Sequence, residues 1–335
     1  MASWDMHRRD VLRLLAAGAG TMAMGSRLAF GADMSVGFQL SWLPSVQFGG
    51  SYIAKDKGFW TAEGLDVALA HGGPNAPVEP PVVSGTALMG ISAADYVAPA
   101  VAEGAPFKII GVAMQKNPFA IASLAANPVK EPKDLVGKKI GMATANTPVL
   151  QAVCTINDVD INEITIVPTQ YDAAPLVNGE VDCLLCWLTD LPVAMTVKGI
   201  DNVTMLLADY GYTVHSQTYI VLEDSLTNKR DEVVKLLRGE VKGWQTYKEN
   251  TDAAAELTMK MFPDAGLDAE AQKVQAREQL KLMFSPLTDE YGFGWFTDET
   301  VAANVETLAM LGKPISPDVW DRSILEEIYK DGPTL

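Results

Sequence analysis

The sequence predicts an α/β protein of two lobes, in which each lobe is a mixed sheet flanked by helices. Short apolar strands alternate with helical segments from residue 36 to residue 222, which is the pattern of α/β folds. The chain has 335 residues, which is enough for two domains rather than one. Two stretches, residues 121–134 and 214–222, break this alternation, and we interpret them as two crossings that form a hinge between the lobes.

These crossings set the expected boundaries of the lobes. We predict a discontinuous first lobe of residues 33–122 and 219–335, and an inserted second lobe of residues 123–218. The tail of the first lobe is predicted to be helical and to serve packing, with helices over residues 231–247, 252–262, 298–311 and 318–329.

Residues 36–69 have the pattern of a βαβ unit. An apolar strand at 36–40 precedes a loop at 41–50, a short helix at 51–57 and a second strand at 65–69. Ligands of such units bind beyond the carboxyl ends of the strands, near helix N-termini. The loop, with Trp42, Phe48 and the Gly49-Gly50 pair, is therefore the first candidate for a binding surface. The alternative is that Trp42 and Phe48 are core residues beneath the loop.

The N-terminus carries a predicted export signal over residues 1–31. Arg8 and Arg9 precede an apolar stretch at 14–24, and small residues lead to Gly31, which is typical of a twin-arginine signal cleaved nearby. The motif is imperfect because Val11 stands where phenylalanine is usual, so an ordinary secretion signal or a retained anchor is the alternative. We expect a periplasmic protein.

Composition excludes several classes of protein. The formal net charge of −16 disfavours nucleic acid and anionic membranes as partners, and we expect a monomer.

Cys183 and Cys186 lie three residues apart on a predicted strand, so their side chains point to opposite faces. We predict buried free thiols there and at Cys154, with no metal site. His71 and His215 are the histidines after the signal, and no catalytic motif accompanies them.

Four stretches carry a resemblance to a known family. They are the 41–67 segment with its W-x-P motif and Y-I-A-K-D-K-G-F-W-T-A-E-G-L-D-V, the G-I-S-A-A of residues 90–94, the D-L-V-G-K-K-I-G of 134–141, and the L-V-N-G-E-V-D of 176–182. Together they resemble the periplasmic ligand-binding components of ABC importers, in the group that binds thiamine-type pyrimidines, taurine, alkanesulfonates and nitrate. The resemblance implies a type II periplasmic-binding-protein fold, capture of a small molecule by hinge closure, and a permease partner in the inner membrane.

A fungal thiamine-pyrimidine synthase shares this fold, and the same resemblance allows a comparison with it. That enzyme has a lysine at the position of Ser92, a histidine at that of Tyr96, and a cysteine cluster where this chain has residues 211–218. Because all three features are missing here, we predict no catalytic residues, no cofactor and no enzyme activity.

The predicted site lies in the loops that follow each strand, since these loops face the cleft of a two-lobed binder. They offer aromatic rings and carboxylates with Lys116 as the one firm cation, which suits a planar heterocycle bearing amino groups. We predict a thiamine-type pyrimidine precursor, clamped between Trp42 and Trp187; a flavin, a quaternary amine, or a sulfonate or other organic anion is the alternative. Asp172 and Asp190 could instead be helix caps. The predicted ligand-binding residues are Trp42, Gln47, Phe48, Ser92, Asp95, Tyr96, Gln115, Thr144, Tyr171, Trp187, Asp190, Tyr210 and Tyr212.

Overall fold

The computed structural model describes residues 34–73, 76–170 and 172–335. The predicted export signal lies outside the described residues, and so does Tyr171. From Asp33 onward the chain forms one unit that contains two sheets. No helix in the described part of the chain combines the length and the apolar character that crossing a membrane would need.

Each sheet has five strands. The described strands are β1 (Met34–Gln39), β2 (Leu65–Ala70), β3 (Met89–Ala93), β4 (Phe107–Met114), β5 (Phe119–Leu124), β6 (Lys139–Met142), β7 (Thr165–Pro168), β8 (Cys183–Trp187), β9 (Asn202–Leu206) and β10 (Ser216–Leu222). The first sheet has the order β2-β1-β3-β10-β4, and the second has the order β7-β6-β8-β5-β9.

Helices cover both sheets. They are α1 (Gly49–Asp56), α2 (Phe59–Ala62), α3 (Glu79–Val83), α4 (Ala94–Ala102), α5 (Thr147–Ile156), α6 (Ala174–Val177), α7 (Leu191–Val197), α8 (Ser225–Asn228), α9 (Arg230–Glu249), α10 (Thr251–Met261), α11 (Ala269–Met283), α12 (Pro286–Tyr291), α13 (Asp298–Met310) and α14 (Ser323–Ile328). The two-lobed α/β fold with mixed sheets is confirmed.

One strand in each sheet runs against its neighbours. In the first sheet β10 is antiparallel to β3 and β4, and in the second sheet β5 is antiparallel to β8 and β9. Each is the first strand that the chain forms after it passes from the other sheet. Each crossing leaves one sheet at the carboxyl ends of its parallel strands and enters the other sheet at the carboxyl ends of the parallel strands there. The strand that follows the crossing therefore starts where its neighbours end and runs antiparallel to them. This is why both sheets are mixed.

The strand pairing bears on the lobe boundaries. The predicted boundaries at 122/123 and 218/219 fall inside β5 and β10, yet β5 pairs within the second sheet and β10 pairs within the first. We therefore propose crossings at residues 115–118 and 207–215, a few residues before each predicted boundary.

Local structure follows the sequence in most places. The predicted βαβ unit is present, with β1 parallel to β2. Thr297 caps α13 through its side chain, which accepts a hydrogen bond from the backbone N–H of Thr300. The predicted helix at 318–329 is instead interrupted, because Trp320 forms a β-bridge with Ile109 of β4 and holds the chain extended there. Helix α14 begins only after this bridge.

The cysteines are buried and free, as predicted. Burial raises the pKa of the Cys183 thiol to about 12, and it raises the pKa of Cys186 further. Both thiols are therefore protonated at neutral pH and act as small apolar residues.

Candidate functional site

The parallel strands of both sheets end at the edge where the two crossings lie. We call the space between these strand ends the crevice. On the side of the second sheet, Trp187 is the last residue of β8, and its register partner Phe119 is the first residue of β5. Their rings meet edge to face with centroids 6.2 Å apart. Phe119 makes a second edge-to-face contact, also at 6.2 Å, with Tyr212 of the second crossing. These three rings form a continuous aromatic row.

The crevice wall on the side of the first sheet is formed by the carboxyl end of β3 and the first turns of α3 and α4. Ser92 donates a hydrogen bond of 2.5 Å to the carboxylate of Glu79. Three residues on, Asp95 lies 3.6 Å from the ammonium nitrogen of Lys313. Burial raises the pKa of Asp95, Lys313 partly offsets that rise, and the charge of Glu79 adds to it. The two carboxylates are therefore close enough to repel each other.

Tyr212 links the two walls. Its hydroxyl is buried and has no hydrogen-bond partner among the described residues. Burial raises its pKa, and the nearby charges of Asp95 and Tyr96 raise it further. The aromatic row of the second sheet thus meets the carboxylates of the first sheet at this residue.

Asp190 adds a third carboxylate on the side of the second sheet. It occupies the N-cap position of α7, but its side chain accepts no hydrogen bond from the helix. Asp190 is exposed to solvent, while the surrounding protein raises its pKa to about 6 through desolvation. Asp172, by contrast, accepts a hydrogen bond of 3.0 Å from the backbone N–H of Ala174, the first residue of α6, whereas the N-cap position is occupied by Ala173.

Several predicted site residues have their side chains engaged elsewhere. Phe48 is fully buried against Tyr52 and His71, so the structure places it in the core, which was the alternative for this residue. The side chain of Gln115 donates to the carbonyls of Val112 and Trp295. A ligand role for these two residues is not part of the site that we propose.

Two further predicted residues lie toward the second sheet. The Tyr210 hydroxyl donates a 2.7 Å hydrogen bond to the carbonyl of Lys130, whereas Tyr212 joins the aromatic row. Thr144 is exposed, and its carbonyl accepts a hydrogen bond from the hydroxyl of Thr147. Neither contact shows a ligand role.

The loop that carries Trp42 is held in place by hydrogen bonds to α11. Gln272 of α11 accepts a 2.6 Å hydrogen bond from the backbone N–H of Val46, and Gln279 donates to the carbonyl of Gln47. Gln47 itself is buried, while Trp42 keeps 39% of its surface exposed. Because α11 also packs against α7, which follows Asp190, one helix contacts both the Trp42 loop and the second sheet's side of the crevice.

The two crossings are joined to each other. The side chain of Asn117 donates a 2.7 Å hydrogen bond to the carbonyl of Val214, and Lys116 pairs with Asp209 at 2.6 Å. His215 ends the second crossing, where its ring accepts from Trp320 and its carbonyl accepts from the N–H of Ala94 at the start of α4. The second crossing and the crevice wall are thus in direct contact.

Sequence reasoning missed Glu79, Phe119 and Lys313. Glu79 and Lys313 lie outside the loops that follow strands, and each reaches the crevice from a neighbouring helix. Phe119 could have been found, since it follows the Asn117-Pro118 turn at the start of a strand.

Comparison with known proteins identifies the family. The model of the family described as NMT1/THI5 like matches residues 45–254. The chain belongs to this family. The match covers α1, the whole second sheet and most of the crevice residues described above.

Named relatives fall into two kinds. The chain is 25% identical to the riboflavin-binding protein RibY of Chloroflexus aurantiacus, over 88% of this chain and 85% of that protein. It is 21% identical to a formylaminopyrimidine-binding protein of Halalkalibacterium halodurans, over 77% of this chain and 79% of that protein. A 4-amino-5-hydroxymethyl-2-methylpyrimidine phosphate synthase of Schizosaccharomyces pombe is 26% identical, but over only 39% of this chain and 38% of the enzyme.

Solved structures with the same fold include the periplasmic aliphatic sulphonate-binding protein SsuA of Escherichia coli. It superposes with a TM-score of 0.64 over 83% of this chain and 92% of SsuA, at 14% sequence identity. At that identity the likeness establishes the fold and leaves the ligand open.

Proposed function

We propose that this chain is the extracytoplasmic solute-binding protein of an ABC importer and that it captures a planar nitrogen heterocycle by hinge closure. The observation that carries the proposal is the meeting of an aromatic row, Trp187, Phe119 and Tyr212, with the carboxylates of Asp95 and Glu79. Flat rings stack on aromatic faces, and carboxylates accept hydrogen bonds from amino groups. The two binding-protein relatives support the same role. Export to the periplasm, a monomeric state and an inner-membrane permease as partner remain predictions.

The charge of the crevice favours an amino-bearing ligand over an anion. Among the described residues that form the walls above, Glu79, Asp95 and Asp190 contribute carboxylates and Lys313 contributes an ammonium. A sulfonate or nitrate would call for arginine or lysine donors in excess. We therefore propose a thiamine-type pyrimidine precursor as the ligand, with 4-amino-5-hydroxymethyl-2-methylpyrimidine as the first compound to test.

A flavin is the second candidate, since the riboflavin-binding relative matches most of the chain. Its ring system is also planar and nitrogen-rich, and it fits the same aromatic row. Differential scanning fluorimetry with the pyrimidine, riboflavin and taurine separates the alternatives, because a ligand that binds the folded state raises the melting temperature by mass action. We expect a shift with the pyrimidine or riboflavin and none with taurine. A shift with taurine alone would contradict the proposal, and turnover of a bound compound would identify an enzyme.

The aromatic clamp itself is testable. We expect Trp187→Ala and Trp42→Ala each to weaken binding of the pyrimidine about tenfold or more, equivalent to about 1.4 kcal/mol, because each removes a stacking face. Isothermal titration calorimetry measures the loss, and circular dichroism verifies the fold. Tyr291→Ala, which removes an exposed aromatic ring on α12, is the control and should bind normally. Wild-type affinity in both tryptophan variants would remove these residues from the site.

A further inference from the structure

Lys313 reaches the crevice from the far end of α13. Gly312 ends this helix with a φ of 71°, a conformation that glycine adopts without strain. The next backbone N–H, that of Lys313, then donates to the carbonyl of Leu308 and closes the turn. This turn fixes the backbone of Lys313, and its side chain lies against the first turn of α4.

The ammonium of Lys313 lies between a carboxylate and an aromatic ring. Its nitrogen is 3.6 Å from the Asp95 carboxylate and 5.7 Å from the ring centroid of Tyr96. This pair of partners is what proteins use to recognise organic cations. The Tyr96 ring is 64% exposed, so a ligand in the crevice can reach it.

Both contacts are long. A charge-assisted hydrogen bond between an ammonium and a carboxylate is about 2.7–2.9 Å, and cation–π contacts extend to about 6 Å. The Lys313 side chain is also 34% exposed, so part of its hydration is kept. An ammonium held by two long contacts and still partly hydrated is placed to be displaced by a ligand group that binds Asp95 at shorter range.

The charges around Lys313 are unbalanced. Asp95 and Glu79 act on each other electrostatically, and Glu79 is held in place by the hydroxyl of Ser92. This part of the wall thus holds two carboxylates and one ammonium, and the ammonium pairs with Asp95. Displacement of Lys313 would leave both carboxylates for an incoming amino group.

We propose that the ammonium of Lys313 occupies the position against Asp95 and Tyr96 that the amino or cationic group of the ligand takes on binding. Lys313 is thus a placeholder for that group in the unliganded protein. The inference rests on the proposed function. It adds a subsite for the amino or cationic group, in which Asp95 and Tyr96 determine specificity and Lys313 competes with the ligand. Lys313 lowers the affinity for amino-bearing ligands, and Asp95 supplies the acceptor that selects them.

The experiment is calorimetric titration of Lys313→Met with two probes of opposite character. We expect 4-amino-5-hydroxymethyl-2-methylpyrimidine to bind about three- to tenfold more tightly to Lys313→Met than to the wild-type protein, because the competing ammonium is gone. Methionine keeps the apolar stem of the lysine. Methanesulfonate, whose sulfonate would use the ammonium and which has no amino group, should bind no better to the variant. Lys330→Met, which removes an exposed lysine near the C-terminus, is the matched control and should change neither affinity.

The second part of the experiment uses the Asp95→Asn variant. It should weaken binding of the pyrimidine at least tenfold in the wild-type background and in Lys313→Met alike, with the melting temperature little changed. Weaker pyrimidine binding by Lys313→Met, or unchanged binding, would overturn the placeholder role. Absence of pyrimidine and riboflavin binding by the wild-type protein would instead contradict the proposed function, and the two failures are thus distinguishable.

Discussion

Replacing Gly243 with alanine is expected to destabilise the protein by about 3 kcal/mol, although alanine normally stabilises a helix interior by about 1 kcal/mol relative to glycine. Gly243 lies in α9 where that helix crosses α1. A Cβ atom at this position would overlap the carbonyl oxygen of Gly50 and would lie 3.1 Å from the Cβ of Ala54. Backbone atoms cannot rotate away as a side chain can, so the helices must separate.

Urea unfolding followed by circular dichroism measures this effect. Glu249→Ala, at an exposed position of the same helix, is the control and should leave the free energy of unfolding almost unchanged. Gly50 lies in the first turn of α1, directly after the Trp42 loop, so separation of α1 from α9 should weaken ligand binding as well. A Gly243→Ala protein that is as stable as the wild type would show that the helices tolerate a wider crossing.

Replacing Glu240 with glutamine is expected to stabilise the protein by about 3 kcal/mol at pH 8. Glu240 is fully buried, and one of its carboxylate oxygens accepts hydrogen bonds from Ser51, Tyr219 and Trp244. The other oxygen has no partner in the described residues. Burial raises the pKa of Glu240 from 4.5 to about 7, and the three hydrogen bonds only partly oppose that rise.

The direction of the pH effect follows from this pKa. Because the folded protein binds the proton of Glu240 more tightly than the unfolded chain, this residue favours folding most strongly at low pH. Its contribution is fully present below pH 4.5 and is lost as the pH rises through 7. Glutamine keeps the acceptor oxygen for the three donors and stays neutral, so the variant should not lose stability over this range.

His215 has the opposite dependence. Burial lowers its pKa to about 4, so its contribution is present above pH 6.5 and is lost as the pH falls toward 4. Between about pH 4.5 and 6.5 the dependences of Glu240 and His215 oppose each other, and Asp190, whose pKa desolvation raises to about 6, adds to the dependence of Glu240. In Glu240→Gln the contribution of Glu240 is removed, so the stability of the variant relative to the wild type should rise between pH 5 and pH 8. Urea unfolding at pH 5 and pH 8 tests this, with exposed Glu249→Gln as the control; a variant that is less stable at both pH values would contradict it.

The local elements were predictable because their signals lie close together in the sequence. The βαβ unit of β1, α1 and β2 follows from two apolar strands and a short helix that ends at Gly58. Thr297 caps α13 because a hydroxyl at that position meets free backbone N–H groups three residues on. The family resemblance also lay in short motifs, and the family match confirms it.

The crevice was only partly predictable. Trp187, Asp95 and Tyr212 follow strands or crossings, and the structure brings them to one place. Phe48 lies in a loop of the predicted type but points into the core. Alternation of side chains along a strand does not extend into a loop, so the direction of Phe48 depended on what packs beside it.

The sequence was sufficient for the two-lobed α/β class, the buried thiols and the family, because periodicity and short motifs record these directly. The tertiary structure was needed to bring Glu79 and Lys313 to Asp95, to hold the Trp42 loop against α11, and to bury Glu240 beneath α1. The physical reason is distance along the chain. Lys313 and Asp95 are more than two hundred residues apart, and their electrostatic interaction exists only once the helices that carry them have packed.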